Sequence, residues 1–235
     1  MRSPKALCMV FLALAMSVAF SACKKGADKR SDCKISDAAI GGGGGNIHIT
    51  YNSDGSISRA AVGVGSVYSF SYHGDTVIVL NTDSGAFQSS TLYVNNAAGL
   101  ATYARTEYDP AGTNWSEVKY EYNGVELSKA TTTTSAGAGP DVNTFTWFNG
   151  NLAAQVSSSV STIYDYYTDK PSQFGDYFSF FQAISGPVTV RNKNLVKSAT
   201  GTAFNYSFGP DGKIASLEIA GSNFVAVIDY TYQCN

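Results

Sequence analysis

From Asn46 to Asn235 apolar and polar residues alternate with a period of two, and no other property of the chain limits its fold so narrowly. In Glu117-Val118-Lys119-Tyr120-Glu121-Tyr122 the apolar Val118, Tyr120 and Tyr122 fall on one side and the charged residues on the other. The same pattern runs through Ile47/Ile49/Tyr51, Tyr68/Phe70/Tyr72, Phe204/Tyr206/Phe208 and Phe224/Ala226/Ile228/Tyr230/Tyr232. Such alternation specifies antiparallel strands with one buried and one wet face. Aromatic and β-branched side chains suit that surface, which gives a role to the 15 tyrosines and 13 phenylalanines. Helical periodicity is almost absent.

The strands are punctuated by turns such as Tyr51-Asn-Ser-Asp-Gly55, Tyr72-His-Gly74, Tyr122-Asn-Gly124, Trp147-Phe-Asn-Gly150 and Phe208-Gly-Pro-Asp-Gly212. Asn-Gly and Asp-Gly tolerate the positive φ of tight hairpins. Gly74, Gly99, Gly124 and Gly150 fall about 25 residues apart, a degenerate repeat of strand, turn, strand and return. One unit cannot bury its aromatic face alone, so the units must share one sheet. The expectation is an all-β domain over 46–235, an antiparallel meander of hairpins with roughly a dozen strands or more. A curved sheet, a half-barrel and a sandwich all satisfy the pattern. Thr168 to Ser198 breaks it, with Lys170-Pro171, the cluster Phe174/Tyr177/Phe178/Phe180/Phe181 and Gly186-Pro187. A short helix or packed loop is expected between Phe174 and Ile184, as a plug on the sheet or a binding loop.

The first 45 residues read differently. Met1-Arg2-Ser3-Pro4-Lys5, an apolar run from Ala6 to Phe20 and the small pair Ser21-Ala22 before Cys23 form a lipoprotein-type export signal over 1–22. The run is short for a membrane span. Cys23 would carry the lipid; an ordinary signal cut near Ala22 would instead leave it a plain thiol. Residues 23–45, polar at first and ending in the run Gly41 to Gly45, read as a flexible linker. Lys24 directly after Cys23 favours the outer membrane, on either its periplasmic or its surface side. Cys33 and Cys234 remain as an exported pair expected to form a disulfide.

Charged residues make up only 14% of the chain and the net charge is −2, so the basic patch of a nucleic-acid binder is missing. The two histidines, His48 and His73, fall on a wet face and in a turn, and neither is placed for catalysis or metal binding. Asp54, Asp75, Asp109 and Asp211 sit in turns, where carboxylates cap backbone amides. No G-x-S-x-G elbow occurs. No cofactor or metal is expected, and the chain reads as a monomer. The candidate binding residues are the aromatics Trp115, Trp147, Tyr164, Tyr166 and Tyr167.

Tyr120-Glu-Tyr122-Asn-Gly124, Lys170-Pro171 and Lys193-Asn-Leu-Val-Lys197-Ser198, together with the lipobox, resemble a group of uncharacterised cell-envelope lipoproteins of the Bacteroidota. The hairpins are also distantly similar to the YD repeats of Rhs-type shell proteins, although most lack the full tyrosine-aspartate signature. The resemblance implies an envelope lipoprotein and brings no activity with it. The first expectation is therefore a non-enzymatic module that binds a glycan or a surface protein. A second is a carrier sheltering a lipid or other apolar ligand against Phe174, Phe178 and Phe181. A third is a hydrolase built on scattered carboxylates.

Overall fold

A computed structural model describes residues 33–42, 45–137, 139–158 and 160–234. The export signal and Cys23 lie outside these residues. The strands are β1 (Lys34–Ile40), β2 (Gly45–Tyr51), β3 (Ile57–Val62), β4 (Ser66–His73), β5 (Thr76–Asp83), β6 (Ala86–Asn95), β7 (Ala101–Glu107) and β8 (Trp115–Asn123). They continue as β9 (Glu126–Thr134), β10 (Asp141–Phe148), β11 (Asn151–Val156), β12 (Ser161–Pro171), β13 (Asn194–Ala199), β14 (Thr202–Phe208), β15 (Ile214–Ala220) and β16 (Val225–Gln233). One helix, α1 (Tyr177–Ala183), lies between β12 and β13. Every strand pairs antiparallel with its chain neighbours, and β1 pairs with β16 to close a barrel.

Closure corrects the expectation of a curved sheet, half-barrel or sandwich. Its physical cause is β1, Lys34-Ile-Ser-Asp-Ala-Ala-Ile40, which falls within the stretch 23–45 whose composition reads as linker. Ile35 and Ala38 are fully buried and face the core. One edge of β1 pairs with β2, and the other with β16 from Lys34↔Gln233 to Ile40↔Ile228. With both edges paired, no free row of N–H and C=O groups remains to template aggregation. Cys33 and Cys234, next in the chain to β1 and β16, are disulfide-bonded across a separation of 201 residues.

The hairpin turns follow the expected chemistry. Asn149-Gly150 and Ser84-Gly85 both hold positive φ at their two central positions, the geometry that matches strand twist in a two-residue turn. Register shifts at Thr50/Tyr51, Asn81/Thr82, Glu121/Tyr122 and Thr146/Trp147 add the local bends a closed sheet requires.

The alternation assigns the faces. Ile47 and Ile49 are buried while His48 between them is exposed. Residues directly opposite across an antiparallel pair share a face, so these buried positions fix the inward side of every strand. The interior is mainly apolar through β1–β4 and β13–β16, with Phe204, Ile214, Leu217 and Ile228 almost wholly buried. The segment 172–193 fills one end of the lumen. Phe180 of α1 is fully buried, its ring 5.0 Å from Tyr230 and 5.5 Å from Phe181. Asp176 caps α1 by accepting from the Ser179 N–H at 2.8 Å, and burial pushes its carboxyl above the usual range.

The outer wall is polar. Arg105 donates to Glu117 at 2.7 Å, Lys129 meets Glu121 at 2.5 Å, and His48 meets Asp37 at 2.7 Å, each pair joining neighbouring strands. The hydrogen bond to Arg105 holds the Glu117 carboxyl below its ordinary range. Besides Trp115 on β8 and Val225 and Val227 on β16, outer apolar side chains gather in two small groups, Ile78/Leu80/Leu92 on β5–β6 and Val142/Val156/Ile163 on β10–β12. The ion pairs of β7–β9 stand between them, so no continuous apolar band runs round the barrel.

Candidate functional site

Barrel closure brings together side chains that no local pattern links. On β5–β12, at the end away from segment 172–193, the inward face turns polar. Val79, 3% exposed, stands opposite Thr91, which is followed across the sheet by Thr106, Ser116 and Thr134. The next rows bring in Asn81 opposite Ser89, Asn143 opposite the buried Ala130, and Gln155 opposite Phe145 and Thr162. The polar side chains among them are half-buried, with Thr134 exposed, whereas Phe180, Leu195 and Ile214 at the filled end are fully buried. The lumen is thus less tightly packed at this end, where the polar wall outlines a cup.

The wall of the cup is cross-linked. Gln155 Nε2 donates to Asn143 Oδ1 at 3.2 Å, and the Tyr164 hydroxyl lies 3.4 Å from Gln155 Oε1. The Tyr164 ring packs on Phe178 of α1 with centroids 5.4 Å apart, so the polar chain ends on the aromatic face of the plug. The Thr91 and Thr106 hydroxyls meet at 3.0 Å. Asn81 Oδ1 is buried without a protein partner, an acceptor still seeking a donor. The ionisable groups facing inward at this end, Asp83 and Asp141, stand exposed at the lip.

The five aromatics singled out in the sequence do not form one strip. Tyr164 joins the cup. Trp147 points inward but is held by its indole N–H, which donates to Leu127 O at 2.7 Å in a packed cluster with Leu152. Tyr166 donates to Leu152 O at 2.8 Å, and Tyr167 to Phe204 O at 3.1 Å with the Lys170 ammonium over its ring. Trp115 lies on the outer wall under the Arg105 guanidinium. Phe174, Phe178 and Phe181 pack against the barrel's own core. Asn81, Asn143 and Gln155 were missed, and a signal for them existed. Polar side chains at Asn81, Thr91, Thr106, Ser116 and Asn143 occupy positions where the alternation expects apolar ones.

A second concavity lies at the seam between β11 and β12. These strands pair only from Ala154↔Ile163 to Val156↔Ser161. Beyond that, Lys193 N donates to Gly150 O, Asn192 Oδ1 accepts from Leu152 N, and the Asn151 and Asn194 amides bond to each other. A cleft of about 350 Å³ remains, lined in part by Phe148, Asn149, Asp165 and Lys193. Among the described residues no group of three or more His, Cys, Asp or Glu side chains is placed to hold a metal ion. No helix among them is long and apolar enough to cross a membrane.

The fold defines a class, the closed sixteen-stranded antiparallel barrel. No protein-family model matches the chain, and no curated protein matches it. Among solved structures it is similar to a porin-like protein from Bacteroides uniformis ATCC 8492, with a TM-score of 0.57 and 16% identity over 85% of this chain and 98% of that one. It is also similar to a porin-like protein from Bacteroides vulgatus ATCC 8482, with a TM-score of 0.55 and 13% identity over the same shares. At these identities the likeness is one of fold.

Proposed function

We propose that this chain is a non-enzymatic lipoprotein of the outer membrane, tethered through Cys23, whose barrel stands in water and binds a glycan in its cup. The observation that carries the reading is the direction of the alternation. A barrel that crosses a bilayer faces apolar residues outward over a band about 25 Å tall and polar residues inward. Here Glu117, Lys119 and Glu121 face outward from the middle of β8, while Val118 and Tyr120 face the interior. A single Lys or Arg facing lipid at the bilayer midplane costs about 2–4 kcal/mol, and β7–β9 carry several such charges. Most strands are also short of the 9–11 residues that a tilted crossing needs. The two structural neighbours are described as porin-like, but segment 172–193 obstructs the lumen of this barrel and argues against an open channel.

The lipid supplies membrane attachment that the barrel's own surface does not. Replacing Cys23 by alanine is expected to move the protein from the membrane pellet to the soluble envelope fraction. Retention in the pellet through an alkaline carbonate wash would overturn the reading, because only a membrane-embedded barrel would stay there.

A further inference from the structure

We infer that the cup takes a neutral glycan by one end of its chain and excludes both the interior of a polymer and acidic glycans. The inference rests on the proposed glycan binding and specifies what that site accepts.

The cup is a dead end. Segment 172–193 meets the inner wall at Tyr93, whose hydroxyl donates to Ser185 O at 3.2 Å. Contact there is close: a Cβ added at Gly186 would stand 2.6 Å from the Tyr93 ring. From Ser89 near the lip to Tyr93 at the floor is four residues of strand, about 13 Å along a tilted strand and hence about 10 Å of depth. A chain end can enter to that depth, but a polymer cannot thread through.

The recognising groups are uncharged. Hydroxyls of Thr91, Thr106 and Ser116 and amides of Asn143 and Gln155 donate and accept, as a polyhydroxylated chain requires. Asn81, opposite Ser89, adds a further uncharged amide to the same wall. No Lys or Arg shares these rows to pair with a uronate or phosphate, and Asp83 and Asp141 at the lip repel an anionic chain. The floor offers the Tyr164/Phe178 ring pair to the apolar C–H face of a sugar.

The test is calorimetric titration of the Cys23→Ala protein with linear malto-, cello-, xylo- and manno-oligosaccharides, with cyclodextrins as glucans without ends, and with oligogalacturonate as the acidic probe. At least one neutral linear series is expected to bind, and the cyclodextrins and oligogalacturonate are not. Gln155→Ala should weaken that binding about tenfold, the worth of one or two neutral hydrogen bonds. Tyr164→Phe, which removes only a hydroxyl and should leave the melting temperature near that of the parent, should weaken it by a smaller factor. Trp115→Ala on the outer wall should leave it unchanged. Equal binding of linear and cyclic glucans, preference for oligogalacturonate, indifference to both cup substitutions, or no binding to any neutral series would each overturn the inference. The fractionation of the Cys23→Ala protein reports separately on whether the barrel stands in water.

Discussion

Replacing Cys33 and Cys234 together by serine is expected to cost about 4–5 kcal/mol of stability, the largest effect of any small change to this chain. The bridge closes a loop between residues 201 apart, so it removes a large share of the unfolded chain's freedom. It joins the residue that precedes β1 in the chain to the one that follows β16, the two strands whose pairing turns a sheet into a barrel. That pairing is the longest-range contact in the ladder, and loop-closure entropy makes it the costliest to form. Urea titration of oxidised parent and double variant should show the midpoint displaced downward, and reduction of the parent should reproduce the shift. Intact mass should rise by about two hydrogens on reduction. An unchanged midpoint would show that the strand ladder alone holds the barrel shut.

Phe180→Ala should be nearly as damaging, at about 3–5 kcal/mol. Phe180 is fully buried and reaches from α1 onto Tyr230 and Phe181 in the filled half of the lumen. Truncation leaves a void that a closed ring of strands cannot collapse to fill. The control is Phe148→Ala: Phe148 is 70% exposed at the β10–β11 turn, and the change there should stay within about 0.5 kcal/mol. Equal midpoints for the two variants would mean that segment 172–193 is not part of the folded core.

Much of this architecture is written locally. Glu117 to Tyr122 fixes a strand and both its faces, Asn149-Gly150 fixes a hairpin, and the cluster from Phe174 to Phe181 marks the helix that breaks the meander. Closure is not written locally, because it depends on Lys34–Ile40 meeting Val225–Gln233 across the whole domain. The polar stretch that precedes it and the run Gly41 to Gly45 that follows make that first strand read as linker, although Ile35 and Ala38 lie at the core spacing once the bulge between Ile35 and Asp37 is allowed for. The cup was hidden for the same reason. Asn143, Gln155 and Tyr164 come from three strands, and only the register sets them in one hydrogen-bonded chain. Tyrosines at Tyr166 and Tyr167 signalled burial rather than binding, since each hydroxyl is held by a backbone carbonyl.

The central claim is that the barrel presents its polar face outward to water and encloses a plugged interior. The most direct measurement purifies the Cys23→Ala protein without detergent, determines its mass in solution, and then adds it to a planar lipid bilayer under voltage. The expected result is a folded monomer with a β-rich circular dichroism spectrum and no conductance steps. Aggregation relieved only by detergent, followed by stepwise conductance in the bilayer, would contradict the claim.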